Sequence, residues 1–418
     1  MTRRFGPILV LVTLVLLSLS SMGAAVAPST RMPAPLTVHE WGTFTSIAGP
    51  GGQAQQWLPL EGPDDLPCFV ERYDARFKGS QSGTVRMETP VLYFYSAEDT
   101  TVDVDVAFNG GAITEWYPRA AVTPRQVTYG MVDRPGFASH ASWNHVRVTP
   151  GAEPNLPTEA GKSHYYLARD TDSAPLAISA QQEKFLFYRG IGSFQPPIIA
   201  WLMDTGALVL KSPRGEPLGD VILFENRGGK MAYLVRQITG VNTTLTPPVL
   251  ANGTTPPTAE LEQILIARGL FPREAKAMVD TWRDSWFEEG ARLFYLPSRA
   301  AIDAILPLQI APQPSAIARA FVGRVELITP RTEQDVTSAI ERGDGEAMVK
   351  YGRFLRPIID QLVMKDRRTN PMLAMLSVGA ETSLQRRAYS VASSARHQWL
   401  DRKPCPQPLI ERQTTQLH

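Results

Sequence analysis

The sequence has few of the residue types and motifs that mark common catalytic sites. Only two of its 418 residues are cysteine and six are histidine. No phosphate-binding loop with its lysine is present, and no G-x-G-x-x-G follows a strand pattern. The segment "GSQSG" at residues 79–83 has Gln81 where a nucleophile elbow needs serine. Nucleotide-dependent chemistry and α/β-hydrolase chemistry therefore have no support in the sequence.

Long hydrophobic runs are also missing, apart from one at the N-terminus. Arg3 and Arg4 precede an apolar run at Ile8–Leu19 and a small-residue segment at 23–27. This run is shorter than the roughly 20 residues of a membrane-spanning helix and is typical of a secretion signal. We predict a signal peptide at residues 1–27, cleaved or kept as an anchor, no other transmembrane span, and a periplasmic or extracellular protein.

No excess of either charge is present over the whole chain. Without residues 1–27, 40 basic residues face 41 acidic ones, which gives no indication of a nucleic-acid partner. Residues 350–403 differ, with 11 Lys or Arg against 4 Asp or Glu. Two interpretations remain open for this segment: a solvated helical face, or a contact with an anionic surface of the cell envelope.

The two cysteines, Cys68 and Cys405, form an even pair. In an oxidising compartment such a pair favours a disulfide that ties the C-terminal tail to the N-terminal region. Two free, buried thiols are the alternative.

The hydrophobic pattern divides the chain into two regions. Residues 28–245 contain strand-like segments such as "VLYFYS" (91–96) and "VDVDVAF" (102–108), separated by glycine-containing turns. A proline- and threonine-rich linker at 246–257 leads to residues 258–403, with helical patterns from Thr258 and Pro272, and a tail at 404–418. We therefore predict an α+β protein: an N-terminal antiparallel β-sandwich-like region, then a mostly helical C-terminal region with two or more additional strands.

An alternative to this division remains open. The segments "ARLFYLP" (291–297) and "RAFVGRVELITP" (319–330) have strand composition. If both rejoin the first sheet, the two regions are halves of one unit.

The segment "LTVHEWGTFTS" (36–46) begins like a zinc-protease motif, with His39 before Glu40. H-E-x-x-H needs a second histidine four residues after the first, but this position is Thr43, and Gly42 and the threonines favour an extended chain. A divalent metal held by scattered ligands remains a hypothesis, with Glu40 as catalytic base. Its candidate ligands are His39, His140, His145 and His164; ordinary hydrogen-bonded histidines are the alternative.

Several blocks of the chain resemble a family of uncharacterised exported proteins from environmental bacteria. The blocks are "HEWGTFTS" (39–46), "LPCFVER" (66–72), "METPVLYFYS" (87–96), "EKFLFYRGIG" (183–192), "TWRDSWFEEG" (281–290) and "RAFVGRVE" (319–326). The resemblance implies export and a single large architecture. It implies no activity and no catalytic residue.

These observations lead to three hypotheses of function. The first is an exported binding or scaffold protein with an aromatic groove for a glycan or envelope ligand, because aromatic faces stack on sugars. Its candidate residues are Trp41, Trp57, Trp116, Tyr117 and Trp143. The second is a metal-assisted hydrolase, and the third is a structural component of an envelope assembly that uses the basic segment.

Overall fold

The computed structural model describes residues 35–56, 66–72, 83–128, 130–160, 163–351, 354–369 and 383–396. Strands dominate, and they form three sheets of nine, six and three strands. Within these residues no helix is both long and apolar enough to cross a lipid bilayer.

The described strands are numbered in chain order. They are β1 (Thr37–Ile47), β2 (Glu71–Arg72), β3 (Val85–Tyr95), β4 (Thr100–Asn109), β5 (Gly111–Tyr117), β6 (Ala121–Thr123), β7 (Ala138–Val148), β8 (Leu176–Ile178), β9 (Gln181–Glu183), β10 (Leu186–Gly192), β11 (Ile199–Leu202), β12 (Leu208–Lys211), β13 (Gly219–Arg227), β14 (Lys230–Ile238), β15 (Asn242–Leu245), β16 (Gly290–Tyr295), β17 (Leu308–Ala311) and β18 (Ala316–Leu327).

A 3₁₀ helix spans His164–Arg169, and the α-helices are concentrated later in the chain. They are α1 (Thr258–Ala267), α2 (Pro272–Trp286), α3 (Arg299–Ile305), α4 (Pro330–Arg342), α5 (Gly345–Val349), α6 (Leu355–Thr369) and α7 (Ser383–Arg396).

The predicted fold class is wrong in its division of the chain. The nine-stranded sheet has the order β14-β13-β16-β18-β1-β3-β10-β5-β2, so strands from the supposed helical region lie at its centre. β18 pairs in parallel with β1, and β16 pairs with β18. A mostly helical C-terminal region is not supported, because β16 and β18 find their partners in strands far away along the chain, which local patterns do not reveal.

One face of the nine-stranded sheet packs against the other two sheets. Val38 and Phe44 of β1 share a buried apolar core with Val104 of β4 and Trp143 of β7, in the six-stranded sheet. The three-stranded sheet β11-β12-β15 packs nearby on residues of β13, β16 and β18. Alternate residues of each central strand face this core, as the period of a β-strand requires.

The opposite face of the nine-stranded sheet is covered by α1, α2 and the 3₁₀ helix. Trp41 of β1 and Val322 of β18 lie in the same apolar cluster as Trp282 and Trp286 of α2. Both α2 tryptophans are buried and belong to the core. β1 is therefore enclosed on both faces, and its ten residues from Val38 to Ile47 are all buried.

Steric crowding explains why a glycine, Gly42, stands in the middle of β1. A Cβ atom there would lie 2.8 Å from the ring of Phe321 and 3.0 Å from Cα of Pro90. The pairing of β1 with β3 changes register at this point, between Trp41 and Thr43. Only glycine leaves room for β1 to approach Pro90 and Phe321 this closely at the irregular position.

Helices α4 to α7 form a separate apolar cluster. Residues of α4, α6 and α7 pack with Ile47 at the end of β1 and Ile328 just after β18. The predicted linker at 246–257 is tied to the main sheet, since Ala251 and Met231 exchange two backbone hydrogen bonds.

Candidate functional site

Two neighbouring residues of β1, His39 and Glu40, point to opposite faces of the nine-stranded sheet. Alternation along a strand puts Glu40 with Val38 on the side of the six-stranded sheet, and His39 with Trp41 on the side of the helices. The two side chains therefore cannot act together as ligand and base of one metal site.

Glu40 belongs to a buried ion pair. Its Oε2 accepts a hydrogen bond from Nε of Arg319 at 2.5 Å, and both side chains are fully buried. Tyr188 donates its hydroxyl to Oε1 of Glu40. Burial, followed by the charge of Glu40, raises the pKa of Tyr188 well above its ordinary value, so the hydroxyl stays a donor. The position suits a structural ion pair, whereas a catalytic base must reach its substrate.

Arg319 links Glu40 to the protein surface. Its Nη1 donates to Oδ1 of Asp303 at 2.6 Å and to the carbonyl oxygen of Leu306 at 2.7 Å. Asp303 is partly exposed and also binds Arg299. These ion pairs and hydrogen bonds thus connect α3 to β18 and β1.

His39 pairs with a carboxylate that the sequence analysis did not single out. Nδ1 of His39 lies 2.7 Å from Oε2 of Glu274, and both side chains are buried. Glu274 stands in the first turn of α2, where a carboxylate is favoured, and it also accepts the backbone N–H of Phe271 at 3.3 Å. The pair joins β1 to the N-terminal end of α2.

Two aromatic rings enclose the imidazole of His39. The ring centroid of Phe271 lies 4.5 Å away and that of Tyr95 lies 5.1 Å away. The Tyr95 hydroxyl lies 3.4 Å from Oε2 of Glu274. Burial, together with the charge of Glu274, raises the pKa of Tyr95, so this hydroxyl is protonated at physiological pH.

The hydrogen bonds of Glu274 are unevenly distributed between its two oxygens. Oε2 faces three donors, from His39, Tyr95 and the backbone of Phe271. Oε1 is buried and has no hydrogen-bond partner within the described part of the chain. A buried carboxylate oxygen without a donor is energetically costly.

A group of charged side chains lies at the N-terminal end of α2, next to Glu274 along the chain. Arg273 of α2 reaches Asp170 at 2.5 Å and Asp172 at 2.6 Å. Lys184 is half-buried nearby, and burial followed by the charge of Arg273 lowers its pKa. Phe271 lies above the pair with 43% of its surface exposed. We call His39, Glu274, Tyr95 and Phe271 the dyad site.

The other predicted metal ligands are not brought to His39. Among the described residues, no three His, Cys, Asp or Glu side chains are grouped as a metal site would need. Each of the other three candidate histidines lies instead beside a separate aspartate, at 3.5 to 3.6 Å: His140 with Asp105, His145 with Asp103, and His164 with Asp284.

The predicted aromatic groove is not formed by the residues named for it. Trp41, Trp116, Tyr117 and Trp143 are all buried, with at most 8% of their surface exposed. Their faces pack in the two apolar cores, which leaves no ring surface for a ligand to stack on. Trp57 lies outside the described residues.

Two further predictions fall partly outside the described residues. Cys68 is half-buried and lies in the described segment 66–72. Cys405 lies outside the described residues, so the disulfide stays a prediction. Residues 352–353, 370–382 and 397–403 of the basic segment also lie outside, so its contact with an anionic surface is untested.

Sequence reasoning missed Glu274, Tyr95 and Phe271. Pro272 with an acidic residue two positions later signals a helix start, which explains Glu274 as a cap but not as a partner of a histidine. The two residues are separated by 235 positions. No local signal could have joined them.

A scan against protein-family models and a search of curated proteins both find no match to this chain. The resemblance in its sequence blocks therefore stays an expectation. Within the fold, "HEWGTFTS", "METPVLYFYS" and "RAFVGRVE" are the three adjacent strands β1, β3 and β18.

Proposed function

We propose that this is an exported ligand-binding protein and that the dyad site binds a glycan. The observation that carries the proposal is the buried Oε1 of Glu274, which has no donor among the described residues. A sugar hydroxyl supplies such a donor, and hydrogen bonds to charged groups contribute more than neutral ones.

The remaining groups of the site suit the same class of ligand. Nδ1 of His39 is engaged by Glu274, so Nε2 is the ring nitrogen that can face a second hydroxyl. Phe271 offers a half-exposed ring on which the C–H face of a sugar stacks. Because this ring lies against His39, ligand entry requires Phe271 to swing away from the imidazole.

The test is isothermal titration calorimetry of the mature protein against soluble envelope and plant-type oligosaccharides. We expect saturable binding that Glu274→Gln weakens by about 10-fold or more, since a charged hydrogen bond contributes roughly 1.5–3 kcal/mol. Phe271→Ala tests the same site at a half-exposed position, where folding is less affected. His145→Ala is the matched control, because His145 also lies beside an aspartate but on the exposed face of β7.

Two results would contradict the proposal. One is an absence of binding across the panel by folded wild-type protein. The other is binding that Glu274→Gln and Phe271→Ala leave unchanged.

A second candidate, a hydrolase, is favoured by the orientation of His39. A carboxylate on Nδ1 holds the imidazole in place and leaves Nε2 as a general base, which a substrate reaches once Phe271 has moved off the buried ring. This chemistry uses the His39–Glu274 pair and not the four scattered histidines. New reducing ends from the same oligosaccharides, formed by wild type and not by His39→Asn, would favour the hydrolase. Binding without turnover would favour the binding protein.

A further inference from the structure

A polar groove lies far along the chain from the dyad site, between α4 and the segment that contains α5. Its volume is about 540 Å³, and its polar lining comprises Arg331, Gln334, Asp335, Ser338, Arg342 and Lys350. The first five belong to α4, at spacings of three and four residues that place them along one side of the helix.

The charges of this groove are unbalanced. Arg331, Arg342 and Lys350 are exposed cations, and Asp335 is its acidic member. Asp335 is already shared, since Nη1 of Arg227 lies 3.4 Å from its Oδ2 and the hydroxyl of Tyr351 lies 3.5 Å away. The groove therefore has a net positive charge that Asp335 does little to offset.

Two of the three cations, Arg331 and Arg342, are only weakly engaged. Arg331 has no ion pair within the described residues, and Arg342 lies 3.8 Å from Asp344. Lys350 lies 3.3 Å from Glu289, at the side of the groove. Arg331 and Arg342 can therefore turn towards a ligand without losing a strong internal contact, whereas Lys350 also lies 5.1 Å from the centroid of the Tyr351 ring.

The N-terminal end of α4 adds positive charge at one end of the groove. Pro330 is the first residue of α4 and lines the groove beside Arg331. The N-terminal end of a helix carries a partial positive charge, which favours anions. The side chains of Gln334 and Ser338 add neutral hydrogen-bond donors.

From this geometry we infer that the groove binds a phosphomonoester, either on a small sugar phosphate or on a lipid headgroup. The groove is lined by three cations, and such groups match the double negative charge of a phosphomonoester better than the single charge of a carboxylate. The volume of the groove accommodates a phosphorylated monosaccharide. This site does not depend on the function of the dyad site.

The experiment compares charged and neutral forms of one ligand on the full mature chain. Glucose 6-phosphate, glucose and inorganic phosphate are titrated calorimetrically at low and at physiological salt. We expect glucose 6-phosphate to bind and glucose not to bind, with affinity falling as salt rises. In parallel, flotation with phosphatidic acid vesicles, against phosphatidylcholine vesicles, tests the lipid source.

Variants then locate the binding. Arg331→Gln with Lys350→Gln is expected to weaken binding at least 10-fold while the folded state persists, because both side chains are exposed. Arg147→Gln, an exposed cation on β7, is the matched control and is expected to change nothing. The inference is overturned if neither phosphate source binds, if glucose binds equally well, or if the groove variants and the control bind alike.

Discussion

The buried pair of Glu40 and Arg319 allows one prediction to be worked out in detail. Both side chains are fully buried and their atoms lie 2.5 Å apart. Charges about 4 Å apart interact by roughly 4 kcal/mol at an effective dielectric constant of about 20. Glu40→Gln keeps the shape of the side chain but leaves the guanidinium with Asp303 as its charged partner. We therefore expect a loss of about 3–5 kcal/mol in the free energy of unfolding.

Urea denaturation followed by tryptophan fluorescence measures this loss, and two further variants show whether the reasoning is right. Arg299→Gln removes a half-exposed partner of Asp303 and is expected to cost less than about 1 kcal/mol. Glu40→Gln combined with Arg319→Met should cost less than the sum of the single variants, because no buried charge is then left unpaired. A stability of Glu40→Gln within about 1 kcal/mol of wild type would refute the account of this pair.

Two further predictions concern the opposite face and the centre of the sheet. Burial raises the pKa of Glu326, but the guanidinium groups of Arg292 and Arg324 outweigh it and lower the pKa below 4.5. The ionised Glu326 therefore stabilises the protein fully above that pH, and this stabilisation is lost as pH falls through the lower folded-state pKa. In urea titrations, the difference in unfolding free energy between wild type and Glu326→Gln should narrow below about pH 4.5. A difference independent of pH would contradict this. Gly323→Ala should lower the free energy of unfolding by about 1–3 kcal/mol or more, because the new Cβ would lie 2.1 Å from the ring of Tyr295. Thermal unfolding checks this cost, which should be smaller in a Tyr295→Leu background; an unchanged melting temperature of Gly323→Ala would contradict it.

Local features of the fold were predictable from sequence. The strand pattern at 102–108 lies within β4, and the alternation of Val102 and Val104 with polar residues matches their burial. Pro272 is the first residue of α2, as its position predicted. The helix predicted from Thr258 begins at that residue, with Pro257 at the capping position. These features depend on neighbours along the chain, which a single sequence contains.

Long-range pairing was not predictable in the same way. Thr37 of β1 lies opposite Ala316 of β18, and no periodicity connects two strands so far apart. The same limit applies to the dyad site, where His39 and Glu274 meet only because α2 packs on the face of β1. Trp41 and Trp143 looked functional by residue type, but they are buried core residues. Large aromatic rings contribute most to the stability of the fold when they are removed from water.

The most direct test of the central claim is NMR of the histidine side chains in ¹⁵N-labelled protein during titration with the oligosaccharide that binds best. We predict a saturable shift of the His39 ring resonances on ligand addition, no shift of His145, and loss of the His39 response in Glu274→Gln. A His39 ring that stays unchanged at saturating ligand, or that shifts no more than His145, would contradict the assignment of the dyad site as the place where this protein binds its ligand.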